Sequence, residues 1–226
     1  MARKLSAFMG TTGGDSSGRI TANVAIFIIA SGHRPASGSD GLCWASPSPT
    51  DLNASLTLPR SFRPLSLALL TREAFRRFGD VLDASGSPDE VANAGAAKIW
   101  RDRAEADFAG RGGRICFNVV RTAAQRLPLE IGLMERHPLS AQTFAPLAAA
   151  EWLVIVAPAG ALDPEAVVAF RVRPGQAVNY RRGVWHCPLV ALERESDFLV
   201  IDRAGEGANL DVERLATPFV VGTLET

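Results

Sequence analysis

Met134-Glu135-Arg136-His137-Pro138-Leu139-Ser140-Ala141-Gln142 is the stretch whose reading decides the fold. It follows directly on Leu129-Glu130-Ile131-Gly132-Leu133, and period-2 alternation puts Leu129, Ile131, Leu133, Glu135 and His137 on one face of a strand. An apolar face that ends in a carboxylate and an imidazole suits a barrel wall whose deep end packs as core and whose mouth carries chemistry. A second polar cluster stands at Asn179-Tyr180-Arg181-Arg182-Gly183-Val184-Trp185-His186. Of the three histidines in the chain, His137 and His186 fall in these two clusters; the third, His33, has no such setting and is given no role.

Working outward, the chain from Gly112 reads as strand after strand: residues 114–120, 127–135, 142–146, 152–157, 167–171, 184–192 and 198–202 are short and rich in Val, Ile, Leu and Phe. Asp163-Pro164-Glu165 and Arg173-Pro174-Gly175 are the clearest turns between them. No helical period of any length intervenes, so the expected class is mainly β, a sandwich, barrel or jelly roll with a few short helices. Upstream, the folded domain is expected to span residues 61–226, opening near Arg63-Pro64-Leu65. Thr71 caps a predicted helix over 72–78, with Ala74, Phe75 and Phe78 as its apolar stripe and Gly79 placed to end it. Asn93-Ala94-Gly95 and the polar run to Arg103 read more plainly as a solvated helix than as an arm reaching a pocket or a neighbouring subunit.

Residues 1–60 differ in kind. Gly13-Gly14, Ser37-Gly38-Ser39 and Ser46-Pro47-Ser48-Pro49 mark a low-complexity stretch without a single glutamate. It buries too little apolar surface to offset its ordering entropy, so a disordered extension is expected. The apolar run Val24 to Ala30 is too short to span a bilayer and lies too far from Arg3 and Lys4 for a standard signal peptide.

Composition narrows the function. Net charge is zero, with no dense basic run beyond Arg181-Arg182, so the electrostatic footprint of a nucleic-acid binder is missing, and no membrane partner is expected. Three cysteines, Cys43, Cys116 and Cys187, have no Cys-x-x-Cys spacing, which argues against a disulfide framework or a thiolate zinc site and for a reducing cytoplasm. Lysine occurs only at Lys4 and Lys98, neither in an apolar setting suited to Schiff-base chemistry. Expected partners are a small carboxylate substrate and a second copy of the chain, since barrel folds of this kind pair sheet edges across a two-fold axis.

The spacing Glu135-x-His137-x-x-x-x-Gln142, followed by Pro174-Gly175 and His186, resembles the two motifs of the cupin superfamily. The resemblance implies a double-stranded β-helix barrel in which His137, His186, Gln142 and Glu135 are candidate ligands of a divalent metal. A closer resemblance covers residues 63 to the end. Residues 134–144 (MERHPLSAQTF), 179–189 (NYRRGVWHCPL) and 197–203 (DFLVIDR), with 70–75 and 78–81, look like the bacterial ureidoglycolate lyase family. That family implies a homodimeric cupin-fold lyase that splits ureidoglycolate into glyoxylate and urea in allantoin and purine-nitrogen degradation. A divalent metal, nickel, accompanies some members, with no organic cofactor. Two positions depart from the family's habit. Cys187 stands where a second His is common, and by alternation it faces away from His186. Ile99 stands where Arg is frequent, and Arg101 where His is.

Ureidoglycolate is a carbinolamide: removing its hydroxyl proton lets a C–O double bond form and expels urea, whose nitrogen needs a proton. His137 or His186 is a candidate base with Glu135 orienting it, and metal coordination of the substrate is the rival assignment. Tyr180 is a candidate proton donor. Arg181, Arg182, Asn93, Arg101 and Gln142 are candidate substrate-binding residues, an arginine fork suiting the carboxylate. The alternatives are a cupin-type module that binds a small carboxylate without turnover and a metal-dependent isomerase or oxygenase. Arg136 beside Glu135 and Arg203 beside Asp202 have plainer readings, as a rim ion pair and a strand-end salt bridge.

Overall fold

The structure is a computed structural model that describes residues 61–109 and 112–222. The expected disordered extension, residues 1–60, lies outside the described residues. In chain order the strands are β1 (Arg63–Leu65), β2 (Leu67–Leu69), β3 (Gly79–Leu82), β4 (Glu90–Ala92), β5 (Ala97–Ile99), β6 (Arg114–Thr122), β7 (Ala124–Gln125) and β8 (Leu129–Arg136). There follow β9 (Gln142–Pro146), β10 (Trp152–Ala157), β11 (Val168–Val172), β12 (Ala177–Tyr180), β13 (Trp185–His186), β14 (Val190–Leu192), β15 (Ser196–Ala204) and β16 (Asp211–Val221). One α-helix, α1 (Arg72–Phe75), and two 3-10 turns complete the described chain.

The run Trp152-Leu153-Val154-Ile155-Val156-Ala157 is apolar at every position because β10 is buried on both faces. It sits inside a nine-stranded sheet whose main path is β1-β16-β8-β13-β10-β11-β2, with β14 paired to β10 and β7 to β14. β1 and β2, separated by Ser66 alone, pair with opposite ends of that path, so the sheet curls until its two edges meet in one extended segment. The curl encloses one core cluster, which includes Leu129, Ile131, Met134, Ile155, Trp185, Cys187 and Phe219. On the other face of β10, Trp152, Val154 and Val156 pack with Phe144, Tyr180, Phe198 and Val200 of the second sheet, ordered β3-β12-β9-β15-β6. The result is the expected mainly β, cupin-like barrel, with the second core lying between the sheets.

Several local expectations change. The helix stops at Phe75, one turn before 78; the Thr71 cap is present, its hydroxyl accepting from Ala74 N at 3.1 Å, and Ala74 is exposed. Gly79 opens β3, and glycine is required because a Cβ there would lie 1.9 Å from the Asn179 carbonyl oxygen on β12. The segment 90–99 is a two-stranded hairpin, not a helix. Asn93, Ala94 and Gly95 all take positive φ at its tip, a conformation that closes a turn and breaks a helix. The shared face from Leu129 to His137 changes phase within Gly132-Leu133. Leu129 and Ile131 join Met134 in the enclosed cluster, whereas Glu135 faces the space between the sheets. The cause lies opposite, where β16 shifts register between Arg214 and Phe219. Strand 184–192 splits into β13 and β14 around Pro188, which has no N–H to give a ladder.

Candidate active site

Glu135 is the penultimate residue of β8, His137 follows the strand's end at Arg136, Gln142 begins β9, and His186 ends β13. His186 pairs with Glu135 across β13 and β8 and with Val156 of β10, which turns its ring to the space between the sheets. All four side chains are buried, and one ligand atom each from Glu135, His137 and His186 lies within 4.8 Å of the others. The two imidazole centroids are 5.4 Å apart. Glu135, His137 and Gln142 line a cavity that opens to solvent. Val120, Phe144, Leu189, Val200 and Leu210 form its apolar walls.

The hydrogen bonds behind these residues fix what they present. His137 Nδ1 lies 2.6 Å from the Asn209 carbonyl oxygen, which only accepts, so Nδ1 carries the proton. Its Nε2 is then a lone pair, buried and without a partner. His186 Nδ1 donates in the same way to the Val184 carbonyl at 3.1 Å, leaving its Nε2 an acceptor too. That nitrogen faces Gln142 Oε1 at 3.1 Å and Glu135 Oε1 at 3.6 Å. Gln142 Nε2 is turned the other way, donating to Asp202 Oδ2 at 3.4 Å. Four acceptors therefore converge in a buried site. Burial, with the Asp202 carboxylate as a second cause, pushes the Glu135 carboxyl up to about 7. Burial and then repulsion from His137 push His186 down to about 3, against its Val184 bond, so its ring is neutral near pH 7. One proton on Glu135 can satisfy one acceptor; a divalent cation satisfies all four, and two imidazoles with two oxygen donors are a mixed set suited to such an ion.

The family profile described as ureidoglycolate lyase matches residues 62–222. The chain belongs to the ureidoglycolate lyase family. It is 44% identical over 153 residues to a protein named ureidoglycolate lyase from Burkholderia mallei (strain NCTC 10229), covering 68% of this chain and 90% of that one. It is 40% identical over 157 residues to the ureidoglycolate lyase of Rhizobium etli, covering 70% and 95%. With that of Pseudomonas syringae pv. syringae it shares 42% over 150 residues, covering 66% and 88%. In this member of the ureidoglycolate lyase family Cys187 does face away from His186, packing in the enclosed cluster, where burial pushes its thiol up out of the reactive range.

The other candidate residues of this lyase-family chain lie around the cavity without lining it. Tyr180 stacks on the back of His186, ring centroids 4.4 Å apart and planes within 10°, and burial raises its phenol well above the ordinary value. Arg181 donates to the Arg76 carbonyl and lies 3.4 Å from Asp80; Arg182 pairs with Asp107 at 3.2 Å. Asn93 sits exposed at the hairpin tip, and Arg101, just beyond the hairpin, pairs with Glu90. Arg136 leaves Glu135 for Asp211, at 2.8 Å, and the Trp185 ring face, at 4.5 Å. Asp202 makes no side-chain pair with Arg203; it faces inward with Val200 and takes hydrogen bonds from Gln142, Ser140 and the Arg203 backbone N–H. Asp202, Ser140 and Asn209 are the site residues that sequence reasoning passed over. The signal for Asp202 was present: Phe198, Val200 and Asp202 alternate, an apolar face ending in a carboxylate like the one that picks out Glu135.

Proposed function

We propose that this chain cleaves ureidoglycolate to glyoxylate and urea, with a divalent cation held by His137 Nε2, His186 Nε2, Gln142 Oε1 and, at one edge, Glu135. The observation that carries the reading is the convergence of those four acceptors on one buried point of the cavity wall. A cation bound there supplies Lewis acidity toward the substrate's hydroxyl and carboxylate oxygens.

Glu135 then does the proton work. With one carboxylate oxygen toward His186 Nε2 at 3.6 Å, its second oxygen is assigned to take the substrate's hydroxyl proton and to return it. It removes the hydroxyl proton; the C–N bond breaks as the C–O double bond forms, and the same proton passes to the departing urea nitrogen. His186, neutral near pH 7, is a ligand in this scheme rather than the base. Tyr180 positions it through the ring stack. No cationic side chain lines the cavity among the described residues, so the substrate carboxylate is assigned to the cation and the Thr122 hydroxyl at the wall. The elimination needs no organic cofactor.

Two copies are proposed to associate through β6. Among the described residues this strand pairs only with β15, its other edge taking no strand, and Ile115, Phe117 and Val119 are exposed on its outer face. Antiparallel pairing of two β6 strands about Asn118 sets Phe117 of each copy opposite Val119 of the other. The cytoplasm is the proposed compartment, supported by Cys116 and Cys187 standing unpaired.

The decisive experiment incubates the purified protein, metal-free and nickel-loaded, with ureidoglycolate and follows glyoxylate and urea together. Both products should appear in equal amounts, well above the spontaneous rate, in the loaded protein. Glyoxylate with ammonia instead of urea, or no excess over the blank, refutes the reading.

A further inference from the structure

Gln142 is 3% exposed, and its carboxamide fits its place in either of two nearly isosteric orientations. What chooses between them is the neighbour behind it. Asp202 Oδ2, at 3.4 Å, only accepts, so the amide nitrogen must face it; turned over, Gln142 would set its oxygen against a carboxylate. Asp202 is itself anchored: its Oδ1 accepts from the Arg203 backbone N–H at 2.6 Å and from Ser140 Oγ at 3.3 Å. Ser140 Oγ accepts in turn from Asn209 Nδ2 at 2.9 Å. Asn209 closes the path, taking the Leu139 N–H on its side-chain oxygen at 2.8 Å and the His137 Nδ1 proton on its backbone oxygen. Gln142, Asp202, Ser140, Asn209 and His137 thus form one buried chain of hydrogen bonds passing behind the cavity wall.

We propose that Asp202 is a positioning residue of the site: it holds the Gln142 carboxamide with its oxygen toward His186 and, through Ser140 and Asn209, ties that ligand to His137. The proposal rests on the cation reading above and goes beyond it by assigning the residue that decides which Gln142 atom meets the cation. It also explains why the position is glutamine. A glutamate at 142 sets a second carboxylate against the buried Asp202, where like charges repel more strongly than in water.

The test is a double-mutant cycle read by calorimetric titration of nickel into the metal-free protein. Asp202→Asn is nearly isosteric and offers Gln142 either a donor or an acceptor, so it should weaken nickel binding roughly 10- to 100-fold, as loss of an outer partner does elsewhere. In a Gln142→Glu background the same change should strengthen binding, because a carboxylate has no wrong orientation and sheds a like-charged neighbour. Equal weakening in both backgrounds means that Asp202 contributes charge alone, and overturns the proposal. A second readout needs no metal: in the metal-free Asp202→Asn protein Gln142 turns and donates to His186 Nε2, moving that nitrogen's 15N resonance upfield. An unmoved resonance overturns the positioning role even if the wild-type protein takes up no nickel, an outcome that would refute the cation reading by itself. Should Asp202→Asn fail to fold, Ser140→Ala, which removes one anchor of the carboxylate, should give a smaller loss of nickel affinity in the same direction; no loss overturns it.

Discussion

Glu135 shows at a single residue how burial is turned to use. A buried carboxyl raised from its ordinary 4.5 to about 7 favours its protonated form, so it stabilises the fold fully below the unfolded value and loses that stabilisation as pH rises through 7. Metal-free wild-type protein should therefore lose stability relative to Glu135→Gln between pH 4.5 and 7, by on the order of 3 kcal/mol, and the gap should stay level at higher pH. Thermal melts of both proteins across that range check it; a gap that does not widen removes the raised carboxyl. In the loaded enzyme Glu135→Gln should lower kcat by about two to four orders of magnitude while nickel stays bound. His137→Ala and His186→Ala should each abolish turnover and nickel uptake with circular dichroism unchanged. Arg181→Ala and Arg101→Ala should leave KM within about two-fold, because their side chains are engaged outside the cavity. A large rise in KM for either would return them to substrate binding.

At the scale of elements, β3 against β12 holds Tyr180 and the floor of the site, and the close approach at Gly79 makes that pairing possible. Gly79→Ala should cost about 1–3 kcal/mol or more in denaturant unfolding, since the Asn179 backbone must move to admit a methyl group. An unchanged midpoint would mean that β3 gives way without consequence. Elements were legible where local pattern agreed with environment. Trp152–Ala157 reads as buried because every position is apolar, and β15 reads as a strand from the Phe198-Leu199-Val200-Ile201 run at its centre. β16, the longest strand, escaped because Glu213, Arg214 and Pro218 interrupt its pattern; Pro218 falls within the register shift, where no ladder N–H is needed. Polarity alone makes Asn93 to Arg103 look like a solvated helix, whereas the left-handed tip that turns 90–99 into a hairpin is set by three residues, Asn93, Ala94 and Gly95.

For the molecule as a whole, the nine-stranded sheet manages its edges by curling until β1 and β2 meet, but among the described residues the second sheet leaves β6 open, with apolar side chains along it. Such an edge invites pairing unless another strand covers it. Phe117→Glu should convert dimers to monomers in light scattering, while Val91→Glu, on the exposed hairpin, should not. A monomeric wild type, or a Phe117→Glu protein that remains dimeric, would rule out β6 as the interface.

The sequence by itself determined the mainly β class, because strand period is a local property, and its resemblance to a known family carried the expectation that two histidines meet a carboxylate and a carboxamide. Only the tertiary structure decided which atom of each residue meets the site. His137 takes its tautomer from Asn209, 72 positions on, and Gln142 its orientation from Asp202, 60 positions on. Hydrogen bonds between strands so distant in the chain leave no periodic trace, yet they determine where every lone pair in the site points.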